Sequence, residues 1–372
     1  MTANCSLTEM PDEGSPSDNP ELMYYSTDDW ISGIGSPHYM VNTSTLRLFV
    51  HDTLYSYKGR GPAVVLALTY THNPGRTGPF GRNWTCSYES TIEQSGDRIT
   101  ITRESGSRLV FRQAVSPDKR QPGIPAEATA PAGVFDRLID YGTYWMYMIK
   151  DSRILLLYDK IPGAVARLSR IADLDNNTVT LAFNADGSIR SVTDACGRST
   201  LFSYNTSRQC ISVTLPDGRT ASFSYDTRQN LSGVTDFGGI ATAYEYDKDH
   251  ALTWIRKGQG PSVTTFVYGS DHLGKHIRTI TGPDGNTTAY DVVSADPRQT
   301  RITDPEGGTL QYFSDQGKTT RVIDQLGNTA EFGIGGGKRT SYRDKNGNVT
   351  HLEYDGRGNM IRTSTPDGAT RR

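Results

Sequence analysis

The chain has 372 residues, a formal net charge of −2 and a pI near 6.4. That balance, with arginines scattered rather than clustered, leaves no electrostatic footprint for nucleic acid or an anionic membrane. No run of about 18 apolar residues offers a membrane span, and Met1 to Asp29 lacks the positive region and apolar core of a signal peptide.

In chain order, the first 30 residues are acidic and rich in serine and proline, which predicts a disordered tail over 1–33. Structure is expected from Ile34, with short strands at 46–50, 64–70, 98–102 and 108–111. Between the second and third of these lies Thr77-Gly78-Pro79-Phe80-Gly81-Arg82-Asn83-Trp84. This glycine-flanked turn with two large aromatics is expected to plug or cover one end of a sheet. Proline and alanine mark a loop over 115–131, and strands resume near 145–149 and 154–158. An N-terminal β domain is thus expected over 34–165, followed by a repeat array over 166–372.

The array announces itself by aromatics spaced about 21 residues apart: Phe183, Tyr204, Tyr225, Tyr246, Tyr268, Tyr290, Phe313, Phe332 and Tyr354. Midway between them an acidic residue is followed by glycine, as at Asp194 to Gly197, Asp217-Gly218, Asp284-Gly285, Asp324 to Gly327 and Asp344 to Gly347. Aspartate bonds the amides that follow it and glycine accepts a left-handed backbone, so each such point is a turn. Two turns per unit imply two strands per unit. Thr200-Leu201-Phe202-Ser203-Tyr204 alternates with period two, as do its counterparts. One face should therefore carry an aromatic column, read as a packing ladder, and the other Ser203, Ser224, Glu245, Val267, Glu331 and Glu353. Such units supply roughly 18 strands and about 85 Å of antiparallel sheet. A sheet that wide must curl, spiral or close, because an open one would not survive its own twist. Propeller blades of four strands are a rival, but nine units do not divide into whole blades.

Tyr225-Asp226, Tyr246-Asp247 and Tyr354-Asp355-Gly356-Arg357-Gly358-Asn359 resemble the YD repeats of the Rhs and teneurin-like family. Gly61-Pro62, Leu68-Thr69-Tyr70, Gly78-Pro79-Phe80-Gly81-Arg82-Asn83-Trp84 and Arg167-Leu168-Ser169-Arg170-Ile171-Ala172-Asp173 resemble what precedes them in bacterial Rhs proteins. The resemblance covers roughly residues 38 to 372 and implies an all-β strip of two-stranded repeats, curled into part of an Rhs-type shell. In the family such a shell encloses and delivers a C-terminal toxin in competition between bacteria, often by a type VI secretion route. Its implied partners are the remainder of the same polypeptide, secretion machinery and cell-envelope glycans, and its implied location is cytoplasmic before a non-Sec export, then secreted or at the cell surface. The chain stops at Thr370-Arg371-Arg372, short of the strand that completes a unit, and is expected to be a fragment of a longer polypeptide or a truncated copy. An unfinished sheet edge there should favour self-association.

No catalytic, cofactor or metal residue is assigned. His272 and His276 are read as two solvated loop histidines. Asp344-Lys345-Asn346-Gly347-Asn348 imitates the start of a calcium loop, but Asp355 stands where a closing glutamate belongs; it and Asp173-Leu174-Asp175-Asn176-Asn177 are read as turns. Asp304-Pro305-Glu306-Gly307 is read as a turn rather than as the family's self-cleaving aspartyl motif. Cys5, Cys86, Cys196 and Cys210 lack zinc-ligand spacing; Cys196 and Cys210 lie in neighbouring turn regions, though free thiols are favoured. Two further readings stay open besides the scaffold: a carbohydrate-binding module using exposed tyrosines and Trp254, and an enzyme site over 115–163 built on Asp136, Asp140 and Tyr144.

Overall fold

The computed structural model describes residues 37–372 except 73–75, 114–123, 132, 262, 273, 316, 357, 369 and 372. The predicted tail over 1–33, Cys5 and much of the 115–131 loop lie outside the described residues. The rest is all-β, in a 4-stranded sheet near the N-terminus, a 27-stranded sheet and a 2-stranded ribbon. One continuous large sheet excludes propeller blades.

Within the large sheet each strand pairs antiparallel with the next from Ala126–Ala128 to Thr370–Arg371. The strands over 126–159, grouped with the N-terminal domain on sequence, are thus continuous with the repeats. At Ala166–Ala172 the sheet forks: its first residues pair with Thr91–Ser95 and its last with Thr178–Phe183. The small sheet runs in the order His38–Val41, Leu48–Tyr57, Val64–Thr71, Trp84–Cys86. Leu46, expected in a strand, instead closes a turn in left-handed conformation (φ 56°) with its side chain fully buried.

Period-two alternation divides the repeat strands as expected. Thr200 and Phe202 are buried and Tyr204 is half-buried, whereas Leu201 and Ser203 face solvent. Counted from the left-handed turn residue, positions three, five and seven point inward: Ala221, Phe223 and Tyr225 after Gly218, and Thr350, Leu352 and Tyr354 after Gly347. This count corrects the aromatic column at three units. Tyr290 and Phe332 occupy position five, and inward-facing Tyr312 takes it after Gly307. Phe313 lies on the opposite face, beneath the Arg321 guanidinium at 3.7 Å. Position seven in those units holds Val292, Ser314 and Ile334. Adjacent aromatics such as Tyr312 and Phe313 cannot be told apart by a period of about 21; the offset from the turn decides.

Position seven matters because a tyrosine there ties strands together. Tyr204, Tyr225, Tyr246 and Tyr268 donate their hydroxyls to the carbonyls of Ile189 (2.8 Å), Cys210 (2.6 Å), Leu231 (2.7 Å) and Leu252 (2.8 Å). The aspartate that follows closes the next turn. Asp226 Oδ1 accepts the amides of Arg228 (2.8 Å) and Asn230 (2.9 Å), and its Oδ2 accepts the Asn230 side chain (2.7 Å). The Asp-x-x-Gly turns use the same device, with Asp324 and Asp344 each accepting two amides and an asparagine.

Asp226→Ala removes an acceptor for two turn amides and should cost about 1–3 kcal/mol, read as a lower urea midpoint at unchanged slope. Asn in its place keeps an oxygen for the amides and should recover most of that loss.

Candidate functional site: the filled coil and its seam

A sheet with one apolar face must bury it, and here it does so by curling around the chain's own N-terminal unit. Phe80 meets Phe223 edge-on at 5.3 Å, Trp84 meets Tyr244 at 5.0 Å, Tyr55 meets Phe237 at 5.5 Å and Tyr39 meets Phe266 at 5.7 Å between ring centroids. Backbone bonds cross the same junction: Cys210 N–H to the Pro79 carbonyl (2.7 Å), Arg82 N–H to Gln229 (3.1 Å) and Ile277 N–H to Leu46 (2.8 Å). Farther along, Arg298 Nε reaches the Ser44 carbonyl at 2.7 Å and the Thr300 hydroxyl bonds that of Thr43. The turn expected to cover a sheet end, residues 77–84, lies against the inner face of the repeats instead.

Tyr246 ties the ladder to the N-terminal unit. Its oxygen accepts the Trp84 indole N–H at 2.7 Å while its hydroxyl donates to Leu231. Burial, then the approach of Tyr70, hold its phenol well above the ordinary range despite the Trp84 bond. The repeat tyrosines therefore work inward as strand ties. Trp254 does lie on the outer face, opposite Glu245, half-buried with Arg256 over its ring at 5.1 Å.

The two ends of the curl meet. Lys150 Nζ donates to the Gly358 carbonyl at 2.7 Å, and Lys338 sits over the rings of both Phe135 (4.5 Å) and Tyr354 (5.1 Å). Eighteen strands separate Arg137–Asp140 from Lys338–Arg343, so one turn measures about 90 Å and has a radius of roughly 14 Å. Beside this seam lies a cleft of about 1030 Å³ lined by residues that include Glu127, Phe135, Arg137, Lys150, Asn359 and Met360.

That cleft is the concave site required by the enzyme reading over 115–163, but the three named residues do not converge on it. Asp136 lines it, yet its carboxylate is buried and held by the Tyr147 hydroxyl, the Lys150 amide (2.9 Å) and Arg103 (3.5 Å). Asp140 is paired with Lys160 at 2.6 Å and with the Gly142 amide at 2.7 Å. Tyr144 stacks on Tyr141 at 4.9 Å, and neither it nor Asp140 lines the cleft.

Other candidates resolve into structure. Asp344 and Asp173 spend their carboxylates on their own turns, and among the described residues no cluster of His, Cys, Asp and Glu could hold a metal. Asp304 caps its turn through the Gly308 amide at 2.6 Å. His272 is an exposed loop residue, but His276 is not: the hairpin is so tight that Gly274–Thr281 is already a strand, and His276 is buried in it beside Asp271. Cys86, Cys196 and Cys210 are free thiols, with Cys196 exposed and the other two buried.

The RHS repeat model matches residues 209–241 and 336–370. The chain carries RHS repeats. A model described as a domain of unknown function, DUF6531, matches residues 38–111, which take in the small sheet seated inside the coil and three strands of the large one. No curated protein matches the chain. Among solved structures, the TcdB2-TccC3 crystal structure aligns at 10% identity over 98% of this chain and 24% of that one, with a TM-score of 0.40. The form without its hypervariable C-terminal region aligns at 10% identity over 86% and 21% (TM-score 0.38). The Photorhabdus luminescens Tc holotoxin pore aligns at 10% identity over 86% and 22% (TM-score 0.37). The RHS-repeat chain thus spans about a fifth to a quarter of the length of those chains.

Tyr246→Phe should destabilise the RHS-repeat chain by about 1–3 kcal/mol, because it strips both Leu231 and Trp84 of a partner. Tyr204→Phe loses the Ile189 bond and should cost less, and thermal unfolding of the two variants separates them. Gly81→Ala should lower the melting temperature further: Gly81 has φ 91°, and a Cβ there would lie 2.8 Å from the Gln229 carbonyl.

Proposed function

We propose that this structural RHS scaffold is the N-terminal part of a β-shell that encloses and delivers a toxin or effector carried C-terminally on the same polypeptide, in competition between bacteria. The observation that carries the reading is the fit of the unit over 38–86 inside one turn of the coil. A turn of roughly 14 Å radius is filled by this unit, so the unit acts as a stopper, and a cargo domain would occupy further turns beyond it.

Burial of the inner face supports that direction. Phe223, Tyr244, Phe266 and Tyr312 are buried, whereas Phe332, Tyr342, Leu352 and Tyr354 are only partly so. Export by a type VI or related route, and display at the cell surface, belong to the same proposal. Carbohydrate binding has weaker support, since the repeat tyrosines face inward and the Trp254 ring is shared with Arg256.

Limited proteolysis of the polypeptide as encoded in its source is the test. Enclosure predicts that the segment beyond residue 372 resists protease while the repeats are intact and is digested once they are unfolded. Digestion of that segment at the rate of an unenclosed control overturns the reading.

A further inference from the structure

Two carboxyl groups of the seated N-terminal unit are buried where it meets the coil, and among the described residues neither has an ion pair of the kind that usually accompanies a buried carboxylate. Asp52 lies in the middle of Leu48–Tyr57, is 2% exposed, and is approached by the Tyr244 hydroxyl at 3.4 Å from the coil side. The other titratable groups acting on it are Lys257 and Asp236, both from the coil. Its chain neighbour His51 bonds Thr69 and Thr53, and burial, then His38, push that imidazole down to about 4, so it is neutral.

Glu89 follows Trp84–Cys86. As a residue it is half-buried, but Oε1 is enclosed without a hydrogen-bond partner among the described residues. Around it stand Arg76 and Cys86 from its own unit and Cys210, Tyr204 and Tyr225 from the coil. Burial raises both carboxyls, Asp52 to about 6 against Lys257 and Tyr244, and Glu89 to about 7 against Arg76.

We propose that this junction is a proton-operated latch: with Asp52 and Glu89 protonated the N-terminal unit is seated firmly in the coil, and their ionisation loosens the seat. The sign follows from linkage. A carboxyl that holds its proton more tightly when seated stabilises seating fully below its ordinary value, and that contribution is lost as pH rises through the raised value. The window runs from about pH 4 to about pH 7, with mild acid closing the latch. This device needs only the contact between unit and coil and does not depend on what the coil encloses.

The experiment is hydrogen exchange on the full chain at pH 5 and pH 8, corrected for intrinsic rates and read at the amides of Leu48–Tyr57 and Val64–Thr71. Protection there should fall about tenfold through Asp52 and somewhat under a hundredfold through Glu89 between the two, while protection in Leu231–Thr235 changes little. D52N/E89Q should remain protected at both values. Equal protection of the wild type at pH 5 and pH 8, or the same fall in D52N/E89Q, overturns the latch. If that variant does not fold, carboxyl-carbon NMR titration of the wild type decides: midpoints near 6 and 7 support the proposal, and both near 4 overturn it.

Discussion

The burial of one face of a long antiparallel ribbon constrains everything else in this molecule. The repeat strands present mostly apolar and aromatic side chains inward and mostly polar ones outward, and a ribbon built that way gains nothing by lying flat. Covering Phe223, Tyr244 and Phe266 requires a second apolar surface of matching length. The ribbon finds it in the sheet over 38–86, which is buried along most of Leu48–Tyr57 and Val64–Thr71. Curl, filled interior and seam all follow from that one need.

The Tyr-Asp pair then has a job that composition does not reveal. Its tyrosine stitches a strand to the start of the preceding one through a hydroxyl-to-carbonyl bond, and its aspartate satisfies two amides of the turn that comes next. Where the pair is missing, at Val292, Ser314 and Ile334, the hairpins are tight and the strands longer, as in Thr287–Ala295 and Thr309–Asp315. The strand between these two, Arg298–Thr303, receives the 43–46 turn of the N-terminal unit, through Thr300 and Arg298. Two hairpin styles therefore serve two tasks: short stitched ones build the wall, and the extended region around Arg298–Thr303 holds the N-terminal unit.

The same economy gives acidic motifs that look like metal or cleavage sites a turn-closing role. In a chain whose turns are closed by carboxylates, Asp173, Asp304 and Asp344 are already engaged by their own backbones. Asp136 and Asp140 are engaged by Tyr147, Arg103 and Lys160. Asp52 and Glu89 lie instead at the contact between unit and wall.

Local order was legible in the sequence because it is written locally. Glycine after aspartate, period-two alternation and an aromatic about every 21 residues determined turns, strands, faces and an all-β repeat ribbon that must curl. The aromatic phase slipped at Phe313 because Tyr312 beside it satisfies the same period, and His276 was misplaced because a two-residue hairpin leaves no loop for it to occupy. What the tertiary structure alone decided is which partner covers the inner face, where the ribbon meets itself at Lys150 and Gly358, and which carboxyls lose their water. These depend on curvature accumulated over many strands and on contacts between residues some 200 positions apart. No local pattern encodes such distances, and repeats that read alike in sequence differ in burial because of what lies opposite them.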